Sequence, residues 1–216
     1  MNRIKLGIFG AGGFGREILP ELKSLVNGGL TQYELYFVED KPRENYFCDI
    51  KLVSEKEFFG LSGTKNFIVT ISNPLLRQKV VDKCIRNNCL PINLLSSSLS
   101  INIEALIGVG NIFCKNMIVT SNAKIGNYCH ININSYIAHD CIIEDFVTIS
   151  PNVGINGNVV IKKFAFIGAG SMIKNGTKDN PLVIGEGAIV GMGSIVINSI
   201  EDYSVVYGNP ATKKGS

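Results

Sequence analysis

The chain has 216 residues, 45% of them hydrophobic and 18% charged, and a formal net charge of +3. That composition belongs to a globular protein with room for two modest domains, and so small a charge, with no basic run, gives no footprint for nucleic acid. The opening stretch from Met1 to Ala11 is too short for a signal peptide or a membrane span, so no span is expected and a cytoplasmic location follows by default.

The first ninety or so residues read as a small α/β unit. Lys5-Leu-Gly-Ile-Phe is an apolar strand that enters Gly10-Ala-Gly12-Gly13-Phe14-Gly15, and a helix from Gly15 to about Asn27 follows. Such a turn sets backbone N–H groups and the positive end of a helix where a phosphate sits, and its glycines let the phosphate come close. A Gly turn with no ligand is the other reading of these residues. A second strand, Tyr33 to Val38, ends in Glu39-Asp40, far enough on for an acidic group that accepts a ribose or base hydrogen bond. A helical stretch near Glu55, a strand from Asn66 to Ile71, a helix from Pro74 to about Asn87 and a strand from Leu90 to Leu94 complete one half of a dinucleotide fold. A mononucleotide-type ligand suits one half better. Ser72 and Asn73 follow the third strand at its carboxyl end, where open α/β sheets bind ligands; equally, they read as a polar cap before Pro74. Ser96-Ser-Ser-Leu-Ser100 marks a boundary, giving units 1–95 and 96–216.

From Ile101 to Ile173 every sixth residue is large and apolar: Ile101, Ile107, Phe113, Val119, Ile125, Ile131, Ile137 and so on to Ile173. Helices need spacings of three and four and flat strands need alternation, so this beat predicts a repeat architecture. Four residues after each large one stands a small or slim one, such as Ala123, Cys129, Ser135 and Cys141, with Asn111 and Met117 as exceptions. One residue after the large one, glycine recurs at Gly108, Gly126, Gly168, Gly185 and Gly191. The expectation is a stack of short strands, each sending one large and one small side chain inward and then turning at a corner, with glycine there for its tolerance of unusual backbone angles. Three strands per turn make a triangular prism. The beat breaks once: eleven positions separate Ile173 from Ile184 where six are needed, so five extra residues protrude as a loop around Lys178-Asp179-Asn180-Pro181. The six cysteines form no CxxC pair. They read as buried thiols in a reducing compartment, and no metal site is expected from them.

The chain holds two histidines. His130, at the end of a repeat, reads as a corner residue. His139 stands two residues after inward Ile137, in Tyr136-Ile-Ala138-His139-Asp140-Cys141. The Gly-Ala-Gly-Gly-x-Gly opening, the hexapeptide prism, this His-Asp-Cys and a terminal Gly208-Asn209-Pro210-Ala211 together resemble one family. It is that of the hexapeptide-repeat sugar acetyltransferases, which includes bacterial sialic acid O-acetyltransferases and the nucleotide-sugar N-acetyltransferases of the bacillosamine pathway. The resemblance runs from Lys5 to Pro210.

That resemblance implies a Rossmann-like α/β half domain followed by an all-β left-handed parallel β-helix with eighteen residues per coil. It implies acetyl transfer from acetyl-CoA, with no permanently bound cofactor, to the 4-amino group of a UDP- or dTDP-linked 4-amino-4,6-dideoxy sugar for bacterial surface glycans. A homotrimer with sites between subunits goes with it. His139 matches the family's base, a role that suits a side chain titrating near pH 6.5, and Asp140 would orient it. With that coil count Gly157 stacks on His139 at about 5 Å, and its N–H becomes a candidate oxyanion donor and acetyl-CoA contact. Asn132 and Ala138 fall near the sugar, Glu39-Asp40 at the nucleotide, and Ala169, Met192 and Gly193 along the pantetheine groove. Phe14 and Thr148 stand where relatives carry histidines, which leaves the exact sugar open. Sugar O-acetylation is the nearest alternative. A prism-shaped carbonic anhydrase would need three histidine ligands, and a structural or nucleotide-sensing subunit would bind no acetyl-CoA.

Overall fold

The computed structural model describes residues 3–27 and 33–213. Two units emerge from its contacts, Met1–Leu94 and Leu95–Ser216.

In the first unit β1 (Ile4–Phe9) is the central strand because its apolar run is buried on both faces, with Leu6 and Ile8 inaccessible. It runs into α1 (Gly13–Asn27), whose Ile18, Leu19 and Leu22 pack inward, and then to β2 (Tyr33–Glu39). Next come β3 (Tyr46–Phe47) and β4 (Ile50–Ser54), a hairpin turning through Cys48 and Asp49, both at positive φ. These two strands are absent from the expectation above. The remaining elements are α2 (Glu55–Gly60), β5 (Lys65–Val69), α3 (Pro74–Arg86) and β6 (Leu90–Pro91). Sheet order is β3-β4-β2-β1-β5-β6, parallel except for the hairpin. The carboxyl ends of β4, β2, β1 and β5 therefore open on the same edge.

The second unit is a parallel β-helix of triangular section. Its first face begins with Leu94–Leu95 and includes Ile112–Phe113, His130–Ile131, Thr148–Ile149, Phe166–Ile167 and Ile189–Val190. The second includes Ser100–Ile101, Ile118–Val119, Tyr136–Ile137, Gly154–Ile155, Met172–Ile173 and Ile195–Val196, and the third runs from Leu106–Ile107 to Leu182–Ile184. Strands pair at an offset of eighteen, as in Tyr136 with Gly154 and Ile137 with Ile155. The large residues of the beat fill one core; Ile137, Ile155 and Ile173 are inaccessible, each burial being worth about 1.5–3 kcal/mol. Asn111 and Met117 point inward too. Buried Asn111 survives there because its amide is satisfied, donating to Gly126 O at 2.9 Å and accepting from Cys129 N at 2.7 Å.

The corner chemistry differs from the expectation. The left-handed angle falls three residues after most of the large ones, on Asn116, Asn122, Tyr128, Asn134, Asp140, Phe146, Asn152, Asn158 and Phe164, and on the glycines Gly110, Gly170, Gly187 and Gly193. After glycine, asparagine and aspartate tolerate that region best. The aromatic ones stack on each other along one corner, Tyr128 on Phe146 at 5.2 Å and Phe146 on Phe164 at 5.6 Å. Gly108, Gly126, Gly168, Gly185 and Gly191 do not take left-handed angles. Most are needed for close approach: a methyl on Gly168 would lie 2.5 Å from Met192 N, and one on Gly108 2.6 Å from Gly126 O.

The break in the beat is a loop, as read. Gly176 N still donates to Gly157 O, while Leu182 N donates to Asn158 O, so residues 177–181 leave the ladder and the register resumes as Val159 with Leu182. His130 departs from the corner reading; it lies within a strand, 1% exposed, in register with Thr148. Five cysteines are buried, Cys129 and Cys141 in the prism core, and Cys48 is only half-buried.

Candidate active site

His139 and Asp140 occupy the corner between the second and third faces, after Tyr136–Ile137 and before Ile142–Ile143. Asp140 takes φ +59, which swings its carboxylate back beside its neighbour. His139 Nδ1 and Asp140 Oδ2 are 2.8 Å apart. Asn122, one coil earlier, donates its Nδ2 to Asp140 Oδ1 at 3.2 Å. The His139 bond first and the Asn122 bond second hold the Asp140 carboxyl below the usual carboxylate range. The ionised carboxylate can only accept, so Nδ1 carries a proton toward it and Nε2 is the ring nitrogen turned away from the pair. With side chains 59% and 46% exposed, the pair is reachable from solvent.

The same corner one coil on is Gly157. A methyl group built on it would lie 2.5 Å from His139 Nε2 and 3.0 Å from Nδ1. Only glycine leaves the imidazole this resting place. The Gly157 carbonyl accepts from Gly176 N, and its own N–H stands at a corner position, with no hydrogen-bond partner among the described residues. Beside the corner lies a hollow of about 820 Å³ walled by Asp140, Asn122, Asn158, Lys124 and, from the inserted loop, Lys178. Neither lysine was singled out by the sequence, although the break in the beat marks the loop that carries Lys178.

The other expected residues divide between two corners. Ala138 adjoins His139, and its N–H donates to Ile155 O. Asn132, Ala169, Met192 and Gly193 all follow strands of the first face and precede strands of the second, one corner away. Gly193 N donates to Ala169 O, and Met192 is 79% exposed. The Asn132 amide is engaged with Ile149 O at 2.8 Å. One chain alone does not bring this group to His139. Thr148 is buried in its strand.

The α/β unit carries a second candidate site, a cavity of about 550 Å³ at the carboxyl edge of its sheet. Gly10, Gly12, Glu39 and Asp40 line it together. Thr70 Oγ1 donates to Gly10 O at 2.7 Å and so fastens the Gly turn to β5. Gly10 needs φ +114, and a methyl on Gly15 would lie 2.6 Å from Gly10 O and 3.0 Å from the Phe37 ring. Gly12 and Gly13 are different: a methyl on either meets no protein atom within 4 Å. The chain's own packing does not call for these two glycines. Gly13 and Phe14 lie in the first turn of α1, outside the lining. Ser72 and Asn73 do not line the cavity either; Asn73 is the N-cap of α3, its Oδ1 accepting from Leu76 N at 2.9 Å. Thr70 and Ile71 hold that edge instead, together with Glu55 and Lys83, which the sequence reading missed.

A small α/β unit with a cleft at its sheet edge, followed by a hexapeptide prism that carries an exposed, carboxylate-held imidazole, has the make-up of a hexapeptide-repeat acyltransferase. Comparison with known proteins is specific. Residues 5–84 match the PglD N-terminal domain, and residues 122–157 and 140–175 match the bacterial transferase hexapeptide of six repeats. GDP-perosamine N-acetyltransferase of Escherichia coli O157:H7 is 37% identical over 181 residues, 83% of this chain and 82% of that protein. The structure of WeeI from Acinetobacter baumannii AYE superposes with a TM-score of 0.93 at 36% identity, over 97% of this chain and 99% of that one. The acetyltransferase domain of PglB from Neisseria gonorrhoeae FA1090, solved with acetyl coenzyme A, shares the fold with a TM-score of 0.87 at 23% identity, over 98% and 100% of the two chains. The chain belongs to the PglD-type family of hexapeptide-repeat, acetyl-CoA-dependent sugar N-acetyltransferases, and its second unit is the left-handed β-helix of that family.

Proposed function

We propose that this enzyme moves an acetyl group from acetyl-CoA to the 4-amino group of a 4-amino-4,6-dideoxy sugar carried on a nucleoside diphosphate. The observation that carries the reading is the His139 imidazole, tethered by Asp140 at Nδ1 and resting on Gly157, with Nε2 available. The amine attacks the thioester carbonyl, forming the C–N bond. Nε2 accepts the amine proton as the tetrahedral intermediate forms, and the Gly157 N–H donates to its oxyanion. Collapse breaks the C–S bond, and the proton leaves with the thiolate as CoA. Asp140 stabilises the imidazolium while it exists.

The nucleotide is assigned to the α/β cleft, where Gly12 leaves room against the backbone for a diphosphate just before the start of α1. Uridine and thymidine carriers follow from the sequence resemblance, and the relative named for GDP-perosamine adds guanosine. The arrangement of the prism supports a homotrimer. Asn132, Ala169, Met192 and Gly193 lie one corner from His139, and the exposed aliphatic side chains Ile118, Ile142 and Leu106 on the second and third faces give copies a surface to share. One copy's His139 corner then completes the groove along another copy's Met192 corner. The reading places the enzyme in the cytoplasm, where acetyl-CoA is available and buried thiols such as Cys129 and Cys141 stay reduced, and places its product in bacterial surface-polysaccharide assembly.

The test is incubation with acetyl-CoA and a panel of GDP-, UDP- and dTDP-linked 4-amino-4,6-dideoxy sugars, with free sialic acid as control, followed by mass spectrometry. Gain of one acetyl group by a nucleotide-linked amino sugar supports the reading. Acetylation of sialic acid alone replaces it with O-acetyl transfer.

A further inference from the structure

In the wall of the α/β cavity lies an ion pair that the reaction above does not use. Lys83 of α3 donates to both carboxylate oxygens of Glu55, at 2.7 and 3.0 Å, and both residues line the cavity. Glu55 is the more sequestered, 16% exposed against 41% for Lys83. A lysine ammonium has three N–H donors, and the two directed at Glu55 fix where the third can go. Phe9, Val38, Leu76 and Val80 give the cavity apolar walls, Thr70 adds a hydroxyl already turned to the Gly10 carbonyl, and Glu39, Asp40 and Lys41 lie at the carboxyl end of β2. Apolar walls suit the faces of a base ring; a fixed donor and carboxylate acceptors suit a particular ring edge.

We infer that Lys83, anchored by Glu55, selects the nucleobase. This rests on the assignment of the nucleotide to this cleft. The ammonium donates to a base carbonyl oxygen while the Glu39-Asp40 pair accepts from the neighbouring ring N–H. That pairing matches the lactam edge shared by uracil, thymine and guanine. Cytosine and adenine present the reverse, an exocyclic amino donor beside a ring-nitrogen acceptor. They would set donor against donor at Lys83 and lone pair against lone pair at the carboxylates. A site built to pair one pattern leaves its own polar groups unsatisfied against the other. The cleft therefore excludes cytidine and adenosine carriers, and Lys83 is a specificity-determining residue.

The experiment is calorimetric titration of the full-length protein with UDP against CDP and with GDP against ADP, pairs matched in ring size. The tighter member of at least one pair should be the lactam base, by roughly 100-fold. Lys83→Met should reduce that ratio at least tenfold by weakening the lactam nucleotide. Because this variant strands Glu55, the double variant Lys83→Met with Glu55→Gln repeats the measurement with no unpaired carboxylate, and the same loss is expected. CDP and ADP binding within a few-fold of UDP and GDP overturns the inference and leaves the nucleotide cleft standing, as does a ratio unchanged in both variants. No binding of any of the four nucleotides overturns the inference and the cleft assignment together.

Discussion

The imidazole of His139 rests against the Cα of Gly157, eighteen residues later and one coil on, where a single methyl group would lie 2.5 Å from Nε2. The register of the prism thus sets the position of the proposed base, and the absence of a side chain at 157 is part of its geometry.

Gly157→Ala should displace the ring without unfolding the coil, since His139 is exposed and free to swing outward. Misplacing a catalytic group by about an ångström can cost about 100-fold. We expect kcat to fall by roughly that factor, with a melting temperature within a few degrees of the parent. A variant of unchanged kcat would detach Gly157 from the chemistry.

Asp140 predicts a signed pH dependence. Its carboxyl is held down in the folded protein by His139 and then Asn122, so its contribution to stability is present above the ordinary aspartate value of about 3.9 and is lost as pH falls through the lower folded value. The melting-temperature gap between the parent and Asp140→Asn should close as pH falls below about 4 and the carboxylate takes up its proton. The gap is small because both side chains are well exposed. kcat, in contrast, should drop substantially at every pH, because the imidazole loses the carboxylate that fixes its tautomer. A gap that persists undiminished well below about pH 4 would contradict the assignment.

The buried amide of Asn111 bridges Gly126 O and Cys129 N across neighbouring coils. Asn111→Ala removes two partners at once and should destabilise the prism by about 2 kcal/mol or more, read in urea unfolding. Asn111→Ser, shorter but polar, should cost less. Equal stability of all three would mean that the amide contributes nothing to the core.

Much of this was legible because the six-residue beat has one geometric solution. Its inward positions and its single break follow from counting, and the stacking of His139 over Gly157 follows once the resemblance supplies eighteen residues per coil. The corners were misread because composition shows that glycine recurs but not why. At Gly108 and Gly168 the reason is a neighbouring strand, and the left-handed duty falls two residues further on, to Asn, Asp, stacked aromatics and the separate glycines Gly110 and Gly170. The β3–β4 hairpin was missed because its turn uses Cys48 and Asp49 rather than a glycine pair, at φ 49 and 63. Lys83 was invisible for another reason. Its partner Glu55 is twenty-eight residues away in the chain, and nothing local in a helix announces a long-range ion pair.

The inserted loop offers a separable test. Gly176 already stacks on the coil below, and Leu182 resumes the ladder at Val159, so deleting residues 177–181 restores an unbroken eighteen-residue register. The shortened protein should keep its stability to within about 1 kcal/mol, as exposed loops generally permit. It should show a raised KM, because Lys178 walls the hollow beside Asp140. Unaltered kinetics would make the loop a bystander.

The central claim is that His139 is the base of acetyl transfer, and the most direct measurement is thiol release from acetyl-CoA with the accepted nucleotide-linked amino sugar, comparing the parent with His139→Ala. The account predicts a loss of about 100-fold or more in kcat, with an unchanged melting curve and unchanged nucleotide binding. Turnover retained at the parent rate in a folded His139→Ala protein would contradict it.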